Sequence, residues 1–336
     1  MKPYIRSLSA FSQKGLLLYS VIILLSQGCG SKQSSSGKTS DQAAPAKIRV
    51  GYIPISECAH LYVGIAKKYF EDEKLDVDLQ PMKGGAVILP ALQTGDIEIG
   101  FANVVSLIVQ NSQLPSRSDN SFVALVGGSY ERPGHNNHAL LYKNGANLRV
   151  ADLGKPGIRI AVNTTRNIEE LMLRRFISAR GLSDNQLELV PIAFPDMWAA
   201  LERGDVQVAS VVEPYIAPAL RGDKFSLLAQ QYLAVSSNTI VATYAVKRGW
   251  LQKNPDTAAR FKRAFNKADD FIRQHDAETR EILGTFTRIS KGDLPIVGMP
   301  AFEPTVSREA VIELIHESLK FGFIQKEPNP DDIVTP

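Results

Sequence analysis

Apolar and polar positions along this chain alternate in two periods that keep trading places. Ile48, Val50 and Tyr52 recur at every second residue and predict a strand over 47–54. A helical spacing follows over 60–70, then alternation over 75–79, then a helical run over 86–94 that ends at Gly95. A third strand is predicted over 97–101 and a third helix over 103–110. The same succession returns later: strands over 158–162, 187–190 and 206–211, with helices over 168–177 and 197–202. A fresh strand is read over 236–242, and amphipathic helices over 256–282 and 308–321. Strands alternating with helices of this length predict βαβ units, hence an α/β fold built on mostly parallel sheets flanked by helices.

The two successions echo each other in sequence as well as in period. Ala91-Leu-Gln-Thr-Gly-Asp-Ile-Glu-Ile lines up with Ala200-Leu-Glu-Arg-Gly-Asp-Val-Gln-Val. Each closes a helix on Gly, where a positive φ ends the last turn, and turns through Asp into an alternating strand. Helix-Gly-Asp-strand is a common connection, but the repeated Ala-Leu-x-x-Gly-Asp predicts two lobes of similar build.

The first 28 residues follow a different pattern. Lys2, Arg6 and Lys14 precede an apolar run from Gly15 to Leu25, and no acidic residue stands before Cys29. A basic region, a short apolar core and a small-residue exit describe a secretory signal over 1–28. About a dozen apolar residues are too few for a membrane crossing, which needs about 20. Gly28 before Cys29 resembles a lipoprotein processing site, so Cys29 is expected to carry the lipid (palmitate). Ser26 and Gln27 depart from the usual residues there. The Ser-rich run after Cys29 cannot bury enough apolar surface to fold, so 29–46 is expected to be a flexible tether. The expected location is the periplasm or cell surface, tethered to the membrane.

Charge then loses its apparent meaning. Of 38 basic residues three precede Cys29, so the remainder carries 35 of each sign. No basic field argues for nucleic acid. Two cysteines, Cys29 and Cys58, leave no intramolecular disulfide if the first is lipidated.

Open α/β sheets bind ligands beyond the carboxyl ends of their strands, where the next helices offer free N–H groups. Those ends carry Ser56, Glu57 and His60; Gly84 and Gly85; Asn103; Asn163, Thr164 and Thr165; and Glu213 with Tyr215. These are the candidate ligand residues, with capping the commoner use of such threonines. The carboxylates of Glu57 and Glu213 would oppose an oxyanion, whereas His60 can donate or accept, so a polar heterocycle or amphoteric solute is expected slightly ahead of one. The bland alternative has Glu57 in solvent and Glu213 bracing a loop.

Metal chemistry has little support. Glu57, Cys58 and His60 lie close in sequence, and His135 and His138 make an i, i+3 pair, but a Pro- and Gly-containing solvated loop is the expected setting for the latter. No nucleophile triad, phosphate loop or dinucleotide fingerprint occurs, so neither catalysis nor a cofactor is expected.

Four stretches carry a family resemblance: Gly51-Tyr-Ile-Pro54, Tyr69-Phe-Glu-Asp-Glu-Lys-Leu-Asp-Val-Asp-Leu79, Ala91 to Gly100, and Val211-Val-Glu-Pro-Tyr215. Together they resemble the periplasmic solute-binding proteins of ABC transporters for nitrate, aliphatic sulfonates, taurine and thiamine-precursor pyrimidines. The likeness runs from about Lys47 to about Phe323. Lys68 and Lys74 stand where that family usually has Gly. The resemblance implies a type II two-lobed binding-protein fold hinged by two crossover segments, with lobe 1 over 47–128 and 236–336 and lobe 2 over 129–235. Gly127 and Gly128 would absorb the hinge rotation. It implies a monomer that captures a small molecule and meets an ABC permease and ATPase in the membrane; an extracytoplasmic sensor docking on a signalling protein is the alternative. The same fold family includes an enzyme branch with a cysteine-rich motif, which this chain lacks.

Overall fold

The computed structural model describes residues 44–334. The expected leader, the lipidated Cys29 and all of the expected tether before Ala44 lie outside the described residues.

β1 (Ala46–Tyr52) buries Ile48 and Val50 and leaves Lys47 exposed, as its alternation predicts. The helix expected over 60–70 is two helices, α1 (Ala59–Ala66) and α2 (Tyr69–Asp72). The break falls at Lys68, whose φ of 62° is left-handed and cannot continue a right-handed helix. Lys74, just before β2 (Leu75–Pro81), is left-handed as well, at φ 57°. These are the two positions where the family resemblance leads one to expect Gly. A non-glycine residue pays about 1 kcal/mol for that conformation. Lys68→Gly and Lys74→Gly are each expected to raise stability by roughly 0.5–1 kcal/mol, read from the urea midpoint.

α3 (Gly85–Thr94), β3 (Ile99–Asn103) and α4 (Val104–Asn111) follow close to their predicted places. β4 (Phe122–Glu131) was not legible as a strand, because all ten residues are buried and no alternation survives. It leads across to β5 (His138–Lys143), β6 (Arg159–Val162), α5 (Ile168–Ser178), β7 (Glu188–Pro191), α6 (Met197–Arg203), β8 (Val208–Val212), α7 (Ala217–Arg221) and β9 (Phe225–Ala229). The chain then returns through β10 (Thr239–Lys247) to α8 (Arg248–Lys253), α9 (Pro255–Gln274), α10 (Asp276–Phe286), β11 (Ala301–Glu303) and α11 (Arg308–Lys320).

Two sheets result, ordered β11-β4-β10-β3-β1-β2 and β7-β6-β8-β5-β9. Both are mixed: β1 pairs parallel with β2 and β3, and β6 with β7 and β8, while β10 and β5 run antiparallel to their neighbours. The sequence echo has a geometric counterpart. Gly95 and Gly204 both cap their helices in the left-handed conformation, at φ 82° and 78°. Asp96 N–H donates to Ala91 O at 2.9 Å, and Asp205 N–H donates to Ala200 O at the same distance.

Two expectations are corrected here. Gly127 and Gly128 lie inside β4, not at a free hinge. A Cβ on Gly127 would stand 1.7 Å from Glu303 O, and one on Gly128 would stand 1.8 Å from Ala242 O. They let β11 and β10 close in on β4 from either side, and the chain crosses between sheets over 132–137 and 230–238. His138 is not in a solvated loop. It opens β5, opposite Val212, and is 2% exposed.

Candidate functional site

The loops at the carboxyl ends of the strands in the two sheets face each other and meet along one seam. Asn103 caps α4 by accepting from Ser106 N–H at 2.9 Å, and the same Oδ1 accepts from Ile168 N–H at 3.3 Å, at the start of α5. Asn167 caps α5 and donates to Asn163 Oδ1 at 2.7 Å and Thr164 Oγ1 at 2.8 Å. Opposite them lies Gly84, where a Cβ would stand 3.1 Å from Asn163 Nδ2 and 3.2 Å from Thr164 Cγ2. On Gly85 it would meet Ser106 Oγ at 3.1 Å and Asn103 Nδ2 at 3.3 Å. Thr165, next along, is exposed.

A second stretch of seam is built on the loop after β1. Ser56 N–H donates to Glu213 O at 3.1 Å, and its hydroxyl lies 2.9 Å from Asn137 Oδ1. Tyr215 donates its hydroxyl to Pro54 O at 3.2 Å. The Glu213 carboxylate accepts from Gly298, Ile216 and Ala217 N–H at 3.0, 3.2 and 3.3 Å. It therefore ties the loop after β8 to the segment before β11. Burial outweighs these bonds and pushes its pKa up to about 7.

His60 does not join the seam. Its ring stacks on Phe265 at 4.2 Å and meets the edge of Phe302 at 4.1 Å, with Nε2 3.1 Å from Asp269 Oδ1. It packs between α1 and α9, and burial holds its pKa below the ordinary histidine value despite Asp269.

Between the lobes lies a cleft of about 410 Å³. Tyr52, Ile53, Pro54, Met82 and Lys83 line it from the first sheet; Phe194, Asp196 and Tyr215 from the second; Phe286 and Arg288 from the end of α10. Aromatic walls with two exposed cations at the rim suit a small organic solute.

Beneath the seam sits a sealed polar cluster that sequence reading missed. Glu57 accepts from the Ser129 hydroxyl at 2.6 Å. Glu131, at the end of β4, accepts from Asn137 N–H at 3.0 Å and lies 2.9 Å from His138 Nδ1. His138 Nε2 lies 3.2 Å from Glu169 Oε1 on the first turn of α5. Glu169 also accepts from Tyr232 Oη at 2.9 Å and from the Ser210 hydroxyl. Tyr232 stacks on the imidazole at 4.1 Å. Burial pulls the His138 pKa down, but Glu169 and Glu131 overcome it and leave it well above the ordinary value, so the ring is an imidazolium between two carboxylates. Its partners come from positions 131, 169 and 232, too far apart in sequence to announce themselves.

Burial pushes the Glu57 carboxyl up to about 7, against His138 and Ser129. A carboxyl whose folded pKa is raised binds more protons folded than unfolded, so its contribution falls as pH climbs from about 4.5 through 7. At 1.36 kcal/mol per unit this costs about 3 kcal/mol above pH 7. Glu57→Gln is expected to flatten that part of the pH–stability curve and to raise the melting midpoint at pH 8 but not at pH 4.5, by scanning calorimetry.

Two similarly wound lobes, closed on a solute-sized cleft, define a periplasmic-binding-protein fold. Residues 41–286 match the NMT1-like family, and the chain belongs to it. It is similar to the nitrate import ATP-binding protein NrtC of Synechococcus elongatus, 24% identical over 68% of this chain but only 36% of that one. It thus spans about a third of that relative. The taurine-binding periplasmic protein of Escherichia coli is 26% identical over 76% of this chain and 77% of its own length. A ligand-binding component of an ABC-type import system from Staphylococcus aureus, solved with zinc bound, shares the fold at TM-score 0.72 and 18% identity, covering 87% and 97% of the two chains. Among the described residues, no group of three or more His, Cys, Asp or Glu is placed to hold a metal ion. Nor is any helix there long and apolar enough to cross a membrane.

Proposed function

We propose that this chain is the extracytoplasmic solute-binding component of an ABC importer. It captures a small polar or anionic organic solute between its lobes and delivers it to a membrane permease and its ATPase. The observation that carries this reading is the cleft between Tyr52–Lys83 on one side and Phe194–Tyr215 on the other, at the carboxyl ends of both sheets. The lobes expected over 47–128 with 236–336 and over 129–235 turn about the two crossovers, with 129–131 staying in the first lobe as the end of β4. Direct inter-lobe bonds at Asn103, Ser56 and Tyr215 support a closed state that a permease could tell from an open one.

In this reading the leader over 1–28 exports the chain, Cys29 anchors it by lipid at the membrane surface, and it works there as a monomer without catalysis. Ser56, Gly84, Gly85, Asn103, Asn163, Thr164 and Tyr215 serve as the seam that closes over the solute. The test is uptake by cells from which the chain is deleted. Loss of import of one small solute, restored by the chain expressed in trans, supports the role; unchanged uptake across polar and anionic solutes overturns it.

A further inference from the structure

The rings that line the cleft come from both lobes, Tyr52 and Phe286 from the first, Phe194 and Tyr215 from the second. Each pair is braced from behind. The fully buried Tyr62 stacks on Phe286 at 4.6 Å and meets Tyr52 edge-on at 5.8 Å, and its hydroxyl donates to Ile53 O at 3.1 Å. Trp198 meets Tyr215 edge-on at 6.1 Å and donates its indole N–H to Tyr215 O at 2.9 Å. Walls fixed in this way lose little freedom when a solute enters, and their π faces favour a flat ring. At about 410 Å³ the cleft falls in the range that holds ring-sized ligands.

Charge selects what the ring carries. Lys83 and Arg288 line the cleft from the first lobe and Asp196 from the second. All three are exposed, and among the described residues their side chains make no ion pair or hydrogen bond. Arg288 and Asp196 act with opposite sign on the Tyr215 hydroxyl, which burial pushes up to about 12, so both charges lie near that wall. Two cations against one carboxylate leave the cleft with a single net positive charge. That charge opposes a cationic solute and matches a monoanion.

We propose that the cleft is the site of an aromatic or heteroaromatic monoanion, a carboxylate in its simplest form. Its ring lies between Tyr52 and Phe286 on one side and Phe194 and Tyr215 on the other, and its carboxylate accepts from Lys83 and Arg288. Asp196, on the opposite lobe, repels the anionic end and so sets its direction. The proposal rests on the solute-capture reading and narrows its chemical class.

Isothermal titration of the purified protein at pH 7 tests it with a matched set of solutes: benzoate, nicotinate, benzamide, benzylammonium, cyclohexanecarboxylate and ethanesulfonate. Benzoate or nicotinate is expected to bind tightest. Neutral benzamide and cationic benzylammonium lack the charge-assisted hydrogen bonds and should bind at least about tenfold more weakly. Cyclohexanecarboxylate keeps the charge but not the flat π face and should be weaker by about fivefold or more. Arg288→Gln and Lys83→Gln, at exposed positions without partners, should each weaken benzoate by about fivefold or more and leave benzamide unchanged. A loss of packing alone would weaken both solutes. Benzamide, benzylammonium or cyclohexanecarboxylate binding as tightly as benzoate overturns the class, as does a benzoate affinity unchanged in both variants. Binding of ethanesulfonate alone also overturns it and leaves solute capture standing. A flat response to the whole set overturns the class and counts against capture as well.

Discussion

Replacing His138 by Leu is expected to destabilise the folded chain by about 3–5 kcal/mol, the usual consequence of stranding a buried charge. The imidazolium lies 2.9 Å from Glu131 Oε2 and 3.2 Å from Glu169 Oε1, and water reaches none of the three. Leu fills much of the ring's volume and keeps an apolar face toward Tyr232, so the loss is chiefly electrostatic. Urea denaturation at pH 7 measures it, and the His138→Leu, Glu169→Gln double variant should recover part of the deficit because it removes one stranded carboxylate. The pH dependence has a definite sign. A histidine whose folded pKa is raised stabilises fully below its unfolded value, about 6.5, and loses that contribution as pH climbs through the folded one. The deficit of the variant should thus persist at pH 6.5 and shrink toward alkaline pH.

Gly84→Trp is expected to reduce solute affinity by at least about 100-fold, roughly 2.7 kcal/mol, and also to lower the stability of the unliganded protein, because Gly84 holds φ 156°, a conformation that side chains rarely adopt. Even a single carbon on Gly84 would press on Asn163 and Thr164 across the seam at 3.1 and 3.2 Å, so an indole wedges the lobes apart. The clash with Asn163 and Thr164 is between lobes and acts on the closed state, whereas the backbone strain at φ 156° acts within one lobe and is read separately from Gly84→Ala. Titration of a bound solute into wild type and variant checks the affinity, and a thermal melt without solute checks the fold. Equal affinity in the two would mean that the solute does not need the seam to close.

The sequence carried the fold a long way because both lobes keep their alternation where one sheet face meets helices and the other edge meets water. β1 shows this in Ile48 and Val50 against Lys47. Legibility failed at β4, where burial on every side erased the period, and at Lys68, where the left-handed turn that splits α1 from α2 is filled by a residue that gives no sign of it. The loops at the carboxyl ends were legible as a class, since strand ends and glycine pairs can be placed by pattern alone. Their side chains were not. His60 sits three residues from Glu57 yet turns into the hydrophobic layer against Phe265, while Glu57 turns beneath the seam. The cluster around His138 had no local signature, because its members come from β4, β5, α5 and β8 and from the returning crossover, and only the tertiary fold unites them.

The central claim is that a small solute is held between the lobes, and a thermal-shift panel of the purified protein tests it most directly. The panel spans zwitterions, amines, sulfonates, nitrate and nitrogen heterocycles. A solute that binds only the folded state stabilises it by RT ln(1 + [L]/Kd), about 2.7 kcal/mol at a hundredfold excess over Kd. The account predicts a saturable rise in melting midpoint with one class of small solute, and its loss in Gly84→Trp. A midpoint unmoved by every small solute, or a rise that Gly84→Trp leaves intact, would contradict it.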